Sequence, residues 1–165
     1  MTAVAEQDGQ GAIVAEDVVH EFGALLGAAS ALERIAGREL ERRCGIRHAV
    51  FEVLLRLSGA DAECPRSIGG LAGDLTLTSG GMTRIIDRMQ EAGLVRREPA
   101  PGDRRRQMVD LTPAGRAKLH EALRVHAETL HEHFAGPLSE EQRQALVAAL
   151  HTLRVTAREE LGDLR

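Results

Sequence analysis

The sequence predicts a mainly α-helical fold with one small β-hairpin inserted about two-thirds of the way along. Three observations predict it. Long apolar stripes at helical spacing occupy both ends of the chain. Gly and Pro punctuate its middle into short segments. Two strand-like runs, 94–97 and 107–111, flank the turn residues Pro99, Pro101 and Gly102.

The totals set the frame. A chain of 165 residues can hold one domain with a real core, or one domain plus an oligomerisation element. Apolar content of 43% with 28% charged residues is that of a globular protein in water. Three Phe with no Tyr or Trp argue against stacking platforms, and so against a reader of single strands or RNA. Cys44 and Cys64 show no C-x-x-C spacing, which fits a reducing compartment without a disulfide framework. No run approaches the ~18 apolar residues of a membrane span. The acidic start lacks a secretion signal, so the expected location is cytoplasmic, with no membrane partner.

Taken in order, residues 1–15 are polar, small and Gly-containing, and are expected to be a disordered tail or a short extra helix. Asp17 is a plausible cap for a first long helix, 17–43. There Val18, Phe22, Leu25, Ala29, Leu32 and Ala36 step by four and three. Gly45 interrupts the pattern, and 46–57 follows as a core helix with Ala49, Val50, Val53, Leu54 and Leu57 on one side. Residues 58–66 have loop chemistry. Ser67 can cap a short helix that turns Leu71, Ala72 and Leu75 inward. Thr78 can cap the next, 78–92, whose inward residues are Met82, Ile85, Ile86 and Met89. Gly93 suits the left-handed position just past that helix. After the hairpin, Thr112-Pro113 opens a helix with Leu119, Leu123, His126, Leu130 and Phe134 on one face. Gly136-Pro137 ends it. Ser139 to Gln142 then forms a capping-box pattern for a last helix to about Leu161, with Leu146, Leu150, Leu153 and Ala157 in line.

Two short helices joined by a tight turn and followed by a basic hairpin make a winged helix-turn-helix, about 46–112. The flanking stretches, about 17–43 and 113–161, form a separate helical mass within a 16–161 domain. Helices of that length need partners to bury their stripes. A second copy of the chain is the expected partner, giving a homodimer.

Chemistry concentrates between Arg84 and Arg106, where seven Arg face four acids (+3) in a chain whose net charge is −4. A basic island on an acidic protein implies a polyanion met by one surface. On 78–92, Ser79, Gly80, Thr83, Arg84, Asp87 and Arg88 lie opposite the apolar face, and the cap Thr78 joins them as a candidate DNA contact. Small residues allow close approach of the backbone. Hydroxyls can donate to phosphates or base edges, and Arg84 can take a guanine in bidentate fashion. A plain surface helix with an Asp87–Arg84 or Glu91–Arg88 pair is the competing reading. Arg104, Arg105 and Arg106 sit at or just past the hairpin tip, where a flexible arginine suits a narrow minor groove. Asp103, an acid among them, is expected to orient a neighbouring Arg. The expected partner is therefore double-stranded DNA.

The block 77–115 resembles the helix-wing segment of the MarR family of bacterial regulators. The T-R-I-I-D-R-M run, A-G-L-V-R, the D-R-R wing and the closing L-T-x-x-G occur in the same order. The resemblance spans roughly 17–161. It implies a homodimer with interlocked first and last helices, bound to a pseudo-palindromic operator. It implies that Arg105 enters the minor groove while Arg104 approaches the backbone. It also implies repression that a small molecule, a metal or an oxidant releases.

For a small-molecule effector, the resemblance implies a site between the dimer helices and the DNA-binding lobe. Here it would be lined by His20, Phe22, His48, Phe51, Glu52 and His126. The first helix lacks the tryptophan that some ligand-responsive relatives carry. A metal reading rests on Cys44-x3-His48 with Glu21, His126, His131 and His133. A redox reading rests on Cys44, whose pKa Arg42 and Arg43 could lower. No phosphate loop, paired catalytic acids or nucleophile elbow is present, so neither an enzyme nor a bound cofactor is expected. The remaining alternative is a helical dimer whose winged lobe binds protein.

Overall fold

The computed structural model describes residues 5–59, 66–75, 79–100 and 102–162; of these, 5–15, 74, 79 and 104–106 are described by backbone alone. The elements are α1 (Ala5–Cys44), α2 (His48–Leu57), β1 (Arg66–Ser67), α3 (Ile68–Asp74), α4 (Ser79–Glu91), β2 (Val95–Ala100), β3 (Asp103–Leu111), α5 (Pro113–Leu130) and α6 (Glu140–Leu161). A π-helical turn, His131–Ala135, precedes α6. The chain divides into two compact units, Met1–His126 and Ala127–Arg165.

In the first unit, α1 begins at Ala5, so 5–15 is helical and Asp17 lies inside the helix rather than capping it. Gly9 and Gly11 each cost roughly 0.5–1 kcal/mol relative to Ala. That is too little to stop a helix extending from the nucleus that the following stripe provides. α1 ends where predicted. Gly45 takes φ +68°, and its N–H bonds to the Glu41 carbonyl at 3.1 Å, the single-bond left-handed cap. α2 starts two residues later than expected, after an extended Arg47. Ser67 caps α3 as predicted, its hydroxyl accepting from the Gly70 N–H at 3.1 Å. Such a cap stabilises by about 1 kcal/mol.

α4 ends in a Schellman motif. Leu94 N–H bonds to the Met89 carbonyl at 2.8 Å and Gly93 N–H to that of Gln90 at 2.9 Å, with Gly93 at φ +70°. The chain then enters β2, which pairs antiparallel with β3 from Val95↔Leu111 to Pro99↔Gln107. β1 pairs with the other side of β3, so the sheet order is β1-β3-β2 and β2 is an edge. Pro99 is tolerated there because an edge position need not donate outward. β1 was not expected: two residues have no periodicity to read. The strands also run closer to the tip than the expected 98–106 turn.

The L-T-x-x-G signature has a physical reason. The Thr112 hydroxyl donates to the Gly93 carbonyl at 2.6 Å and accepts from the Gly115 N–H at 3.0 Å, capping α5 while gripping the α4–β2 turn. A Cβ on Gly115 would lie 2.0 Å from the Leu94 carbonyl oxygen, so the helix start needs glycine to approach this closely. The largest fully buried side chains of the core beneath are Leu40, Phe51, Val53, Leu54, Leu71, Met82, Ile86, Met89, Val109 and Val125. Of the predicted inward residues of the helix-turn-helix, Ile85 and Leu75 are only partly buried at its margin.

In the second unit, the capping box opens α6 as predicted. Ser139 Oγ accepts from the Gln142 N–H at 3.2 Å, and Gln142 Oε1 accepts from the Ser139 N–H at 2.9 Å. Among the described residues, α6 has no buried side chain.

Candidate nucleic-acid interface

α4 is two-faced as its sequence requires. Met82, Ile86 and Met89 are buried, while Gly80, Arg84 and Arg88 are exposed and Thr83 and Asp87 are half-exposed. Thr78 lies outside the described residues. Ser79 is the first residue of α4, and its side chain lies outside them as well. Among the described residues, neither Arg84 nor Arg88 has a salt-bridge partner, leaving both guanidinium groups available.

Asp87 does not pair with Arg84. Its Oδ1 lies 2.6 Å from Nη2 of Arg97 on β2, which also reaches the Thr83 carbonyl at 3.4 Å. Arg97 went unremarked in the sequence, although a signal was there. Strand alternation puts it on the same face as buried Val95, toward the helices. Its Nε is buried without a partner among the described residues, an omission that costs on the order of 1 kcal/mol or more. Arg96 points the other way. It pairs with Asp110 directly opposite on β3 at 2.7 Å, and Arg116 approaches the same carboxylate at 3.6 Å.

The tip has an irregular ladder. Pro99 pairs with Gln107 and the next residue, Ala100, pairs with Asp103. Arg104, Arg105 and Arg106 are therefore interpolated on β3 between successive partners, as a bulge that frees them from the ladder. Only their backbone is described. Asp103 stands opposite Ala100 at the start of β3.

Of the six residues expected around an effector, the structure gathers four. The rings of Phe51 and His126 lie 4.7 Å apart, and His48 is 6.2 Å from the first and 6.3 Å from the second. His48 also stands 3.7 Å from Glu33 and 3.9 Å from Glu52. Phe51 is fully buried, so it belongs to the core as much as to any pocket. Burial, then the neighbouring His48, pushes the His126 imidazole below its ordinary pKa, and its Nδ1 has no partner among the described residues. His20 and Phe22 are not part of this cluster. His20 is exposed and bonded to its own helix at the Glu16 carbonyl, and Phe22 is 60% exposed. With ~1.5 Å rise per residue, Phe22 stands roughly 16 Å along α1 from Glu33, too far to share a site within one chain. An open groove of about 640 Å³ is lined by Glu33, Arg47, His48, Ala49, Glu52 and Leu75. Glu33 and Arg47 were missed because nothing in their local spacing ties α1 to α2.

The surroundings of Cys44 count against the redox alternative. The thiol is buried in the core, and burial followed by the nearby Glu121 raises its pKa instead of lowering it. Cys64 lies outside the described residues. Among those described, no three His, Cys, Asp or Glu side chains converge in a metal-holding group, so Cys44, His48 and the other candidates do not form one. No described helix is long and apolar enough to cross a membrane.

Residues 51–106, from α2 to the arginine bulge, match the model of the MarR family. The chain is 31% identical over 100 residues to the HTH-type transcriptional regulator PecS of Dickeya dadantii, covering 61% of this chain and 60% of that protein. Matches to the next curated relatives cover 54% and 49% of their lengths, so the chain aligns with about half to three-fifths of each. Among solved structures it is similar to Sco3205, a MarR family transcriptional regulator from Streptomyces coelicolor in complex with DNA. The TM-score is 0.69 at 26% identity, over 83% of this chain and 88% of that one. It is also similar to wild-type MarR from E. coli, with a TM-score of 0.70 at 25% identity, over 79% of this chain and 94% of that one. The chain thus shares with MarR family regulators the helix-wing sequence block, over residues 51–106, and the helical fold around it.

Proposed function

We propose that the protein is a sequence-specific, double-stranded DNA-binding transcriptional regulator that works as a homodimeric repressor in the cytoplasm. One observation carries the reading. The solvent face of α4 presents Arg84 and Arg88, without a salt-bridge partner among the described residues, beside Thr83 and Gly80, and a ribbon ending in three arginines follows directly. A helix of that shape fits the major groove, and a freed arginine fits the adjoining minor groove. The names of the similar proteins, and the DNA complex of Sco3205, support it. In this reading 46–112 forms the DNA lobe within a 16–161 domain. Thr78, Ser79, Gly80, Thr83, Arg84, Arg88, Arg104 and Arg105 meet DNA, with Asp103 orienting the wing. Catalysis has no place in it.

The homodimer is supported by apolar side chains left exposed on α1 (Val18, Val19, Phe22, Leu26) and α6 (Val147, Leu150, Leu153, Leu161). Two-fold symmetry implies a pseudo-palindromic operator with half-sites about 10 bp apart. For the effector, the His48–Glu52–His126 cluster beside the groove favours a small molecule over a metal or oxidant.

A gel shift with the intergenic DNA upstream of the chain's own gene tests the reading. Wild-type protein should retard that DNA in preference to unrelated duplex. At fixed salt, Arg105→Ala should weaken binding by about 10-fold to 100-fold, the scale of a lost groove contact, with the oligomeric state unchanged. Unchanged affinity would remove Arg105 from the interface. No preference for any duplex would favour a lobe that binds protein.

A further inference from the structure

We propose that Asp87 and Arg97 are a positioning pair that sets the angle between α4 and the wing, so that one lobe meets two adjacent grooves at once. The inference rests on the DNA-binding reading above.

Asp87 is at first sight misplaced. It shares its helix face with Arg84 and Arg88, where a carboxylate would repel phosphate. Its partner explains it: Arg97, ten residues on and in a different element, meets it at 2.6 Å in a charge-assisted bond. The same Nη2 reaches the Thr83 carbonyl one turn earlier, so the guanidinium spans a turn of α4. Arg97 is largely enclosed, its side chain 22% exposed, and keeps Nε buried without a partner among the described residues. It is held there by its carboxylate rather than by solvation.

The lever arm makes the pair matter. Between α4 and β2 stand only Ala92, Gly93 and Leu94, with Gly93 in a left-handed turn. Arg97 faces Val109 across the ladder, and Val109 is fully buried, so β2 cannot slide. From Arg97 the ribbon runs about 10 Å further to its tip, at ~3.3 Å per residue. A small change of angle at Arg97 therefore moves the tip arginines by more. Binding by helix and wing together gains from a fixed geometry, as any two linked contacts do.

The sign of one substitution discriminates. If Asp87 were only a tolerated acid, Asp87→Asn would remove repulsion and tighten binding to every duplex. As a positioning residue, its loss should weaken operator binding by about 10-fold at fixed salt. Affinity for unrelated DNA should stay level or rise. Hydroxyl-radical footprints should lose protection in the flanking minor grooves and keep it in the major groove. Arg97→Gln should share that footprint, and the double variant should bind no more weakly than Arg97→Gln alone. Melting and oligomeric state are followed throughout. If Arg97→Gln fails to fold, the half-exposed Asp87→Asn carries the test alone. Operator binding by Asp87→Asn that is unchanged or tighter, with the wing footprint intact, overturns the proposal. A wild-type chain that prefers no duplex overturns the DNA-binding reading and this inference together.

Discussion

The winged lobe and the last helix are built by opposite means. In the lobe, short elements are fixed by side chains they bury against one another: Leu71, Met82, Ile86 and Val109 are fully enclosed. α6 is capped as well as any element of the chain, yet Val147, Leu150, Leu153 and Leu161 are 38–61% exposed. Local signals suffice to make it a helix and do nothing to anchor it. In proteins most helical stability comes from tertiary burial of an apolar face rather than from propensity. The lobe should therefore behave as a self-contained unit, and α6 as half of an interface.

The sharpest way to break this contrast is to charge the stripe. Leu153→Asp should place a carboxylate in each half of the interface and weaken the dimer by about 4 kcal/mol, close to a thousandfold. Sedimentation should show monomers at concentrations where the wild type is dimeric. The wild-type melting temperature should rise with protein concentration, because dissociation is part of its unfolding, and that dependence should vanish in the variant. A wild-type melting temperature independent of concentration would mean that α6 is buried by something other than a second copy.

A smaller effect with the opposite signature belongs to the lobe. Gly115→Ala drives a methyl into the Leu94 carbonyl, and backbone cannot yield as a flexible side chain would. The expected loss is about 3 kcal/mol, at the upper end of overpacking costs. It should lower the urea midpoint equally at all concentrations. A variant of wild-type stability would show that α5 can shift its start without cost, and that the Thr112 grip on the Gly93 turn is not specific.

The same contrast explains what was legible in the sequence. Capping and periodicity are local, and they gave α3, the end of α4, the Thr112 start and the Ser139 box almost residue for residue. β1 was invisible because its two residues become a strand only beside Val109 and Met108. The start of α1 was misplaced because Gly9 and Gly11 look like breakers until helix propagation is counted. In the site, the outward residues of α4 followed from its inward ones. The Asp87–Arg97 pair did not, since it joins a helical period to a strand period across a turn. The setting of Cys44 was hidden for a related reason: Arg42 and Arg43 are neighbours in sequence, while burial and Glu121 dominate in space.

The smallest effect is a pH dependence carried by His126, at the inner margin of the lobe. Burial and His48 hold its folded pKa below the ordinary 6.5, so the folded state favours the neutral ring. As pH falls below about 6.5, the unfolded chain takes up a proton that the folded chain refuses until lower pH. Stability is then full above the unfolded pKa and declines as pH falls through the window beneath it, with a limiting slope of about 1.4 kcal/mol per pH unit for each such site. The groups facing the ring include Glu52 and, through His48, Glu33. His126→Leu should keep the contact with Phe51, remove the unpartnered Nδ1, and flatten the fall in urea midpoint between about pH 8 and about pH 5. An unchanged fall would assign the acid sensitivity to other groups. A steeper one would mean that His126 is charged in the folded state and held by Glu52.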